Sequence, residues 1–486
     1  MKPQEAQLRY KIGFISLIVL LVIHGYFSLN TLYLSTIKFD GMRSIFSADF
    51  VGLANFTNIF KDAVLIQSLK NSFYYAVMTM IITAVLVGSV TFGLNQIKNV
   101  RLRYILSGVM FFPFLMTFPM LLQKASLAFY CKNPSQIFLS IFFAAVYQSF
   151  LLAPFLILGA LIAAKRLSIP DEKLIQIVAL ASIGGAWYVC FCGGNEPFSS
   201  FVSIAGNQSL SNYIYSVSFR NMQIGYAAAL EILAALLGKS VLLLCLVCIV
   251  KLMPSQKQDL QVSMQKTNAV AIAIPGLIIS VVLFIVGVMS ALGESISVGV
   301  DLQTLLLPNL LLAFFPFAGV VLGIALSGLI GQGRIISRVL IIALPLLLLQ
   351  VGDVTFAEYQ VFRQLGMLGT SIPLILNVGV CVLVPALLYG IYIQGTTKSL
   401  FQQLAFIGSV YLFMFVSSFG NHGRALIFSQ QVNKFPLSLL HRMWTQQYAV
   451  QMNFSFPYAS IAVGFPLIAL GGAIILMIIA MEGNEN

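Results

Sequence analysis

The feature that most constrains this chain is an apolar run of about 20 residues, the length a helix needs to cross a bilayer core, recurring from end to end. Six such runs fall in the first half of the 486 residues: Ile12–Leu34, Asn71–Asn95, Tyr104–Phe129, Ile137–Ala164, Leu174–Phe191 and Tyr226–Met253. Six more follow: Ala269–Leu292, Leu305–Ile330, Ile335–Val351, Ile372–Ile393, Leu400–Phe419 and Tyr458–Met481. In lipid every backbone polar group must be bonded internally, so runs this long predict helices. Only 9% of the residues are charged and the mean hydropathy is +0.95, against roughly 25% charged in soluble domains. The expected fold is an all-α polytopic membrane protein of about 12 transmembrane helices, with the lipid bilayer as its solvent. No polar interval is long enough to hold a soluble domain.

The formal charge of +12 would point to nucleic acid in a soluble protein. Here the basic residues sit in short loops, where they set topology, and no nucleic-acid partner is expected. Lys2, Arg9 and Lys11 precede the first run; Lys98, Arg101 and Arg103 follow the second; Lys165 and Arg166 follow the fourth. Lys251, Lys257, Lys266, Arg334 and Arg338 continue the series. If the spans alternate, all of these share one side, which the positive-inside rule makes the cytoplasm. Both termini are then cytoplasmic in a multi-pass protein of the bacterial inner membrane, the start of the chain reading as an uncleaved first helix. The opposite loops carry Asp40, Asp49, Asp62, Glu196, Glu294, Asp301 and Asp353, with Lys61, Arg220, Arg424 and Lys434 as exceptions.

A weak internal repeat accompanies this layout. Gln223-Ile-Gly-Tyr226-Ala-Ala-Ala opens the sixth run and Ser455-Phe-Pro-Tyr458-Ala-Ser the twelfth. Two six-helix halves, residues 1–253 and 269–486, joined by a cytoplasmic linker at 254–268, are the simplest account. An aromatic belt at the membrane surface would give the same pattern. In paired-half transporters the pathway lies between the halves.

Several stretches carry a family resemblance. Leu32-Tyr-Leu-Ser-Thr-Ile-Lys-Phe-Asp-Gly41, Phe50-Val-Gly-Leu-Ala-Asn-Phe-Thr-Asn-Ile-Phe60 and Leu69-Lys-Asn-Ser-Phe73 resemble the start of a maltose-type (carbohydrate uptake) ABC importer permease. Phe111-Phe-Pro-Phe114 with Phe118-Pro119 is similar to the family's third helix, and Gly225-Tyr-Ala-Ala-Ala229 to the entry of its last. In the second half, Tyr359-Gln-Val-Phe-Arg-Gln-Leu-Gly-Met-Leu-Gly-Thr370, Ile372-Pro-Leu-Ile-Leu376 and Pro457-Tyr-Ala-Ser460 resemble the partner permease of the same importers. The resemblance implies two type I ABC-importer-like permease halves, both subunits fused in one chain.

One departure is systematic. In the family, Ile-Pro-x-Glu leads into a cytoplasmic coupling helix that docks in the ATPase. Here Ile169, Pro170, Asp171 and Glu172 run directly into the next span, and in the second half Gly395 and Lys398 lead straight into Leu400. Two helical turns need about seven residues, so neither connection holds a docking helix. Both coupling loops are read as vestigial. No P-loop replaces them, and the losses argue against a conventional ATPase subunit as partner.

Ionisable residues inside spans are functional candidates. Glu231 binds solute, carries a proton or bonds a neighbouring helix; Lys239 lies about 12 Å further along the axis, too far for a direct ion pair. Tyr147, Gln148 and Asn377 sit near mid-span and are pathway candidates, though helix–helix hydrogen bonds use the same residue types. His24 is read as a packed neutral ring. Arg424, His441, Arg442 and Trp444 fall in the last outward loop, where a periplasmic solute-binding protein or another envelope protein is the candidate partner. Cys190-Phe-Cys192 and Cys245-Leu-Val-Cys248 lack the further ligands a zinc site needs and are read as packing. With no catalytic constellation, metal site or cofactor motif, an enzyme is not expected. Three functions stay open: a carbohydrate permease without conventional ATPase coupling, a permease-derived structural or sensory subunit, and a secondary carrier using a buried acid.

Overall fold

The computed structural model describes residues 3–41, 48–115, 134–193, 208–253, 269–291, 316–330, 334–351, 355–370, 372–375, 379–394, 398–419, 423–429, 439 and 463–482. In the first half the helices are α1 (Pro3–Ser35), α2 (Ala54–Ile59), α3 (Ala63–Asn95), α4 (Val100–Val109), α5 (Phe112–Leu115) and α6 (Pro134–Leu167). They are followed by α7 (Asp171–Cys192), α8 (Leu210–Tyr215) with a π-helical turn at Ser216–Arg220, and α9 (Ile224–Leu252). The second half holds α10 (Ala269–Ala291), α11 (Phe317–Ile330), α12 (Arg334–Leu348), α13 (Phe356–Gln364) and α14 (Ile372–Ile375). It closes with α15 (Val380–Tyr392), α16 (Leu400–Phe419), α17 (Gly423–Phe428) and α18 (Phe465–Glu482). Among the described residues the only sheet is a two-stranded antiparallel ribbon, β1 (Ile37–Lys38) with β2 (Asp49–Phe50).

Seven of the described helices are long and apolar enough to cross a membrane: those of α1, α3, α6, α7, α9, α16 and α18. Four shorter apolar helices, within α10, α11, α12 and α15, match further expected runs. The expected third span is present as α4 and α5, and its remainder from 116 onward lies outside the described residues. Large apolar side chains such as Val22, Leu29, Val85, Leu244 and Ile468 are exposed on these helices, as they must be where the solvent is hydrocarbon.

Local sequence explains where the helices begin. The Asp62 carboxylate accepts from the N–H groups of Val64 and Leu65 and starts α3; Asn99 caps α4 and Ser209 caps α8 in the same way. Each cap satisfies donors that a helix start leaves unpaired. At α7 the signal is Pro170 followed by Asp171 and Glu172, acids that favour a helix N-terminus.

The helix pairs are reciprocal. α1 packs on α11, and α10 packs on α3: the first long helix of each half lies against the second of the other. α4 meets α18, as α12 meets α9; α6 meets α15 across the middle. Within the halves, α3 packs on α6 as α11 packs on α15, and α7 pairs with α9 as α16 pairs with α18; α3 also packs closely on α7, where α11 only touches α16. Small residues allow these approaches. A Cβ on Gly323 of α11 would stand 2.6 Å from the Val382 carbonyl, and one on Gly328 would stand 2.7 Å from the Arg9 carbonyl.

Contacts between helix termini sort the two ends of the bundle. At one end Arg9 bonds Gln403, Arg101 pairs with Glu482, Lys165 donates to the Met481 carbonyl, and Asn95 and Gln96 donate to Asp171. At the other, Tyr213 and Tyr226 donate to Asp62, Asn55 donates to the Ser35 and Ile37 carbonyls, and Phe219 packs on Phe356 and Tyr359. We call these the basic end and the aromatic end.

Candidate functional site

Glu231 lies on α9, 6% exposed. The backbone N–H of Phe356, the first residue of α13, lies within electrostatic reach of its carboxylate. A helix start offers unpaired N–H groups and partial positive charge, so this is where an acid inside the bundle finds a partner. Lys239, two turns on, donates instead to the Leu346 carbonyl at 2.8 Å, in the last turn of α12 where carbonyls lack intrahelical partners.

The C-terminal end of α12 gathers further bonds from the first half. The His24 ring on α1 faces the Gln350 amide at 3.4 Å, and Tyr188 on α7 donates to the Gln350 carbonyl. The ring of His24 is 2% exposed and packs edge-on to Phe27, the buried placement expected for it. This seam fastens three helices of the first half to one of the second.

Tyr147 and Gln148 on α6 are both buried. Tyr147 donates to the Pro113 carbonyl at 3.4 Å, and Gln148 accepts from Tyr75 at 3.3 Å. Beside them Ser149 accepts from Thr83 at 3.0 Å. These bonds tie α6 to α3 and α5. Asn377, the counterpart expected in the second half, lies outside the described residues, as do Gly395, His441, Arg442 and Trp444.

Arg424 requires a correction. It was expected in a partner-facing loop, yet it is 3% exposed and pairs with Glu358 through two bonds, of 2.6 and 3.3 Å. The same guanidinium donates to the Pro373 carbonyl at 2.8 Å and lies 5.3 Å from the Phe428 ring centroid. A buried charge needs a partner and satisfied hydrogen bonds, which draws Arg424 inward from the surface loop its sequence position implied. Glu358 was not singled out from the sequence. Its signal was Thr355-Phe-Ala-Glu358, the Ser/Thr-x-x-Glu spacing of a capping box, and Thr355 does accept the Glu358 N–H at 3.2 Å.

At the aromatic end a cleft of about 840 Å³ is lined by Lys38, Asp40, Asp49, Asn55, Asn58, Lys61, Asp62, Gln223 and Tyr226, among others. Tyr213 and Tyr226 hold the Asp62 carboxylate at 2.5 and 2.7 Å. Burial raises the pKa of Asp62, but the two phenols and the N–H groups of Leu65 and Val64 outweigh it, and the carboxyl stays below its ordinary value. Burial and the neighbouring carboxylate push the Tyr213 phenol up, so it remains a donor.

At the basic end the first connection is only Ser168, Ile169 and Pro170. Ser168 takes a left-handed φ of 50°, Ile169 is buried in the core, and Asp171 accepts from Asn95 and Gln96 at 2.9 and 2.8 Å. Glu172 is exposed. Cys190, Cys192, Cys245 and Cys381 are buried and form no disulfide among the described residues, and Cys192 donates to the Ala234 carbonyl.

Compared with models of known protein families and with curated proteins, the chain matches none.

Proposed function

We propose that this chain is a solute permease of the ABC-importer type, with both permease halves fused and the usual ATPase linkage lost. The observation that carries the reading is the reciprocal packing: α1 on α11 with α10 on α3, α4 on α18 with α12 on α9, and α6 on α15 at the centre. Two copies of one fold related by a two-fold axis produce that set of pairs, and α6 and α15 then flank the pathway, as expected at the interface of paired halves. The basic end faces the cytoplasm, and the cleft around Asp62 faces a periplasmic solute-binding protein. The polar lining of that cleft, with the amides of Asn55, Asn58 and Gln223, the Tyr226 phenol and five charged side chains, suits a polar, carbohydrate-like solute.

A second reading, that of a permease-derived structural or sensory subunit, draws support from the first connection. Ile169 is sunk in the core and Asp171 is held by two amides, so this connection does not project toward an ATPase. A ligand shifts an equilibrium only through contacts that differ between its states; at this connection ATP-driven closure has no lever. Reconstitution in liposomes with candidate ATPases and labelled oligosaccharides separates the readings. Uptake without stimulated ATP hydrolysis supports the permease with lost coupling. Binding without uptake supports the sensory subunit. Stoichiometric co-purification with an ATPase dimer and solute-dependent hydrolysis would overturn the lost-coupling part of both.

A further inference from the structure

The last turn of α6 carries Arg166, and Lys398 stands in the connection between α15 and α16. These are the two positions at which docking loops were expected to be missing. The fold brings both cations to one aromatic ring. The guanidinium carbon of Arg166 lies 4.9 Å from the Tyr392 ring centroid, and the Lys398 ammonium lies 5.6 Å from it. Phe406 stacks on the same ring at 3.9 Å and 12°, which fills one face and leaves the other to the two cations.

Arg166 is 7% exposed, and the one polar contact it makes among the described residues is a long one to the Met481 sulfur at 3.6 Å. The Arg166 Nε, the Lys398 Nζ and the Tyr104 hydroxyl are all buried without a hydrogen-bond partner among the described residues. Tyr104 is 1% exposed and within electrostatic reach of Arg166 and Tyr392. Lys165, beside them, is already bonded to the Met481 carbonyl. Two described carboxylates at this end are engaged elsewhere: Asp171 with Asn95 and Gln96, Glu482 with Arg101.

An uncompensated buried cation is costly, and a cation–π contact returns only part of that cost. Two cations facing one ring therefore leave an electrostatic deficit that an anion would remove. The donor set suits an oxyanion: a planar fork and an ammonium that only donate, and a phenol that can donate. The fold holds the set in place, since Gln403 donates to the Lys398 carbonyl at 3.0 Å while accepting from Arg9 and Tyr389. Burial together with Arg166 and Lys165 lowers the Lys398 ammonium to about 8.

We propose that Arg166, Lys398 and the Tyr104 hydroxyl form a binding site for a phosphate oxyanion, filled in the membrane by an anionic phospholipid headgroup. The position fits, because a basic pocket between helices at the membrane surface is where such headgroups bind. The proposal does not depend on transport.

The test uses the full chain in nanodiscs of phosphatidylcholine, with or without phosphatidylglycerol, and with inorganic phosphate as a separate arm. Thermal unfolding and native mass spectrometry of retained lipid are the readouts. The expected result is stabilisation and lipid retention with phosphatidylglycerol. Lys398→Gln should weaken retention roughly tenfold, the loss of one charge-assisted bond, and Tyr104→Phe less; Lys98→Gln, a surface control at the same end, should leave it unchanged. Stabilisation by inorganic phosphate alone would keep the oxyanion site and reject the lipid as its occupant. No stabilisation of the wild type by either arm, or equal retention by Lys398→Gln, overturns the proposal. Arg166→Gln is the stronger variant; if it fails to fold, Lys398→Gln carries the test from its short connection.

Discussion

The two ends of the bundle treat buried charge in opposite ways. At the aromatic end the chain supplies its own counter-charges: Arg424 is clamped by Glu358, and Asp62 by two phenols and two backbone amides. At the basic end Arg166 and Lys398 both lie over the Tyr392 ring, with no carboxylate paired to either among the described residues. A satisfied pair fastens helices, whereas an unsatisfied cluster has free energy to gain from a ligand. The distinction separates parts of the molecule that hold it together from the part prepared to bind.

The sharpest way to break that comparison is Glu358→Ala. It takes the carboxylate from the buried Arg424 guanidinium, which keeps the Pro373 carbonyl and the Phe428 ring among its contacts, and should cost about 3–5 kcal/mol. Reversible denaturation in mixed micelles measures it. The double replacement Glu358→Leu with Arg424→Met should recover most of the loss, because removing both charges removes the desolvation penalty as well. A single variant that costs less than about 1 kcal/mol would mean that the pair is solvated after all.

What the sequence made legible was whatever depends on one segment at a time. Apolar length located the helices, the start of α7 was written in Pro170-Asp171-Glu172, and the shortness of the first connection is a matter of counting residues. The lack of an ion pair between Glu231 and Lys239 also followed from one helix's rise. Pairings across the fold were not legible. Arg424 was read as a loop residue because its partner stands 66 positions away in another helix. Arg166 was read as a topology marker and Lys398 as a loop remnant, since nothing local says that they meet on Tyr392.

A smaller effect is expected at Asp62. Asp62→Asn removes the charge from two phenol bonds and weakens the cap of α3, at about 1 kcal/mol. The sign with pH follows from its depressed pKa. The stabilisation is complete above the unfolded value near 3.8 and is lost as pH falls through the lower folded value. Acid titration of unfolding should therefore show a loss below that range in the wild type that Asp62→Asn lacks. If the two profiles coincide, the aromatic end is not held by this carboxylate.

The smallest effect sharpens the other side of the comparison. The Lys398 ammonium faces Arg166 and Lys165 on α6 and Tyr392 on α15, and Tyr104 on α4 is coupled to Arg166 and Tyr392; none of these is a carboxylate. Burial and the two cations lower its pKa from 10.5 to about 8. A lowered lysine pKa means that the charged form is disfavoured in the empty site, so a bound oxyanion raises it and binding takes up a proton. Affinity for the phosphate group should then be level below pH 8 and decline above it, by no more than tenfold per pH unit for a single proton. Lys398→Gln should flatten the profile at its weaker level, while Lys398→Arg, whose guanidinium does not titrate in this range, should flatten it near the stronger one. Measuring retained phosphatidylglycerol from pH 6.5 to 9.5, roughly the span in which this amine changes charge, compares all three. A wild-type profile that stays level throughout would place the Lys398 ammonium outside the binding step and leave Arg166 and Tyr104 to hold the anion.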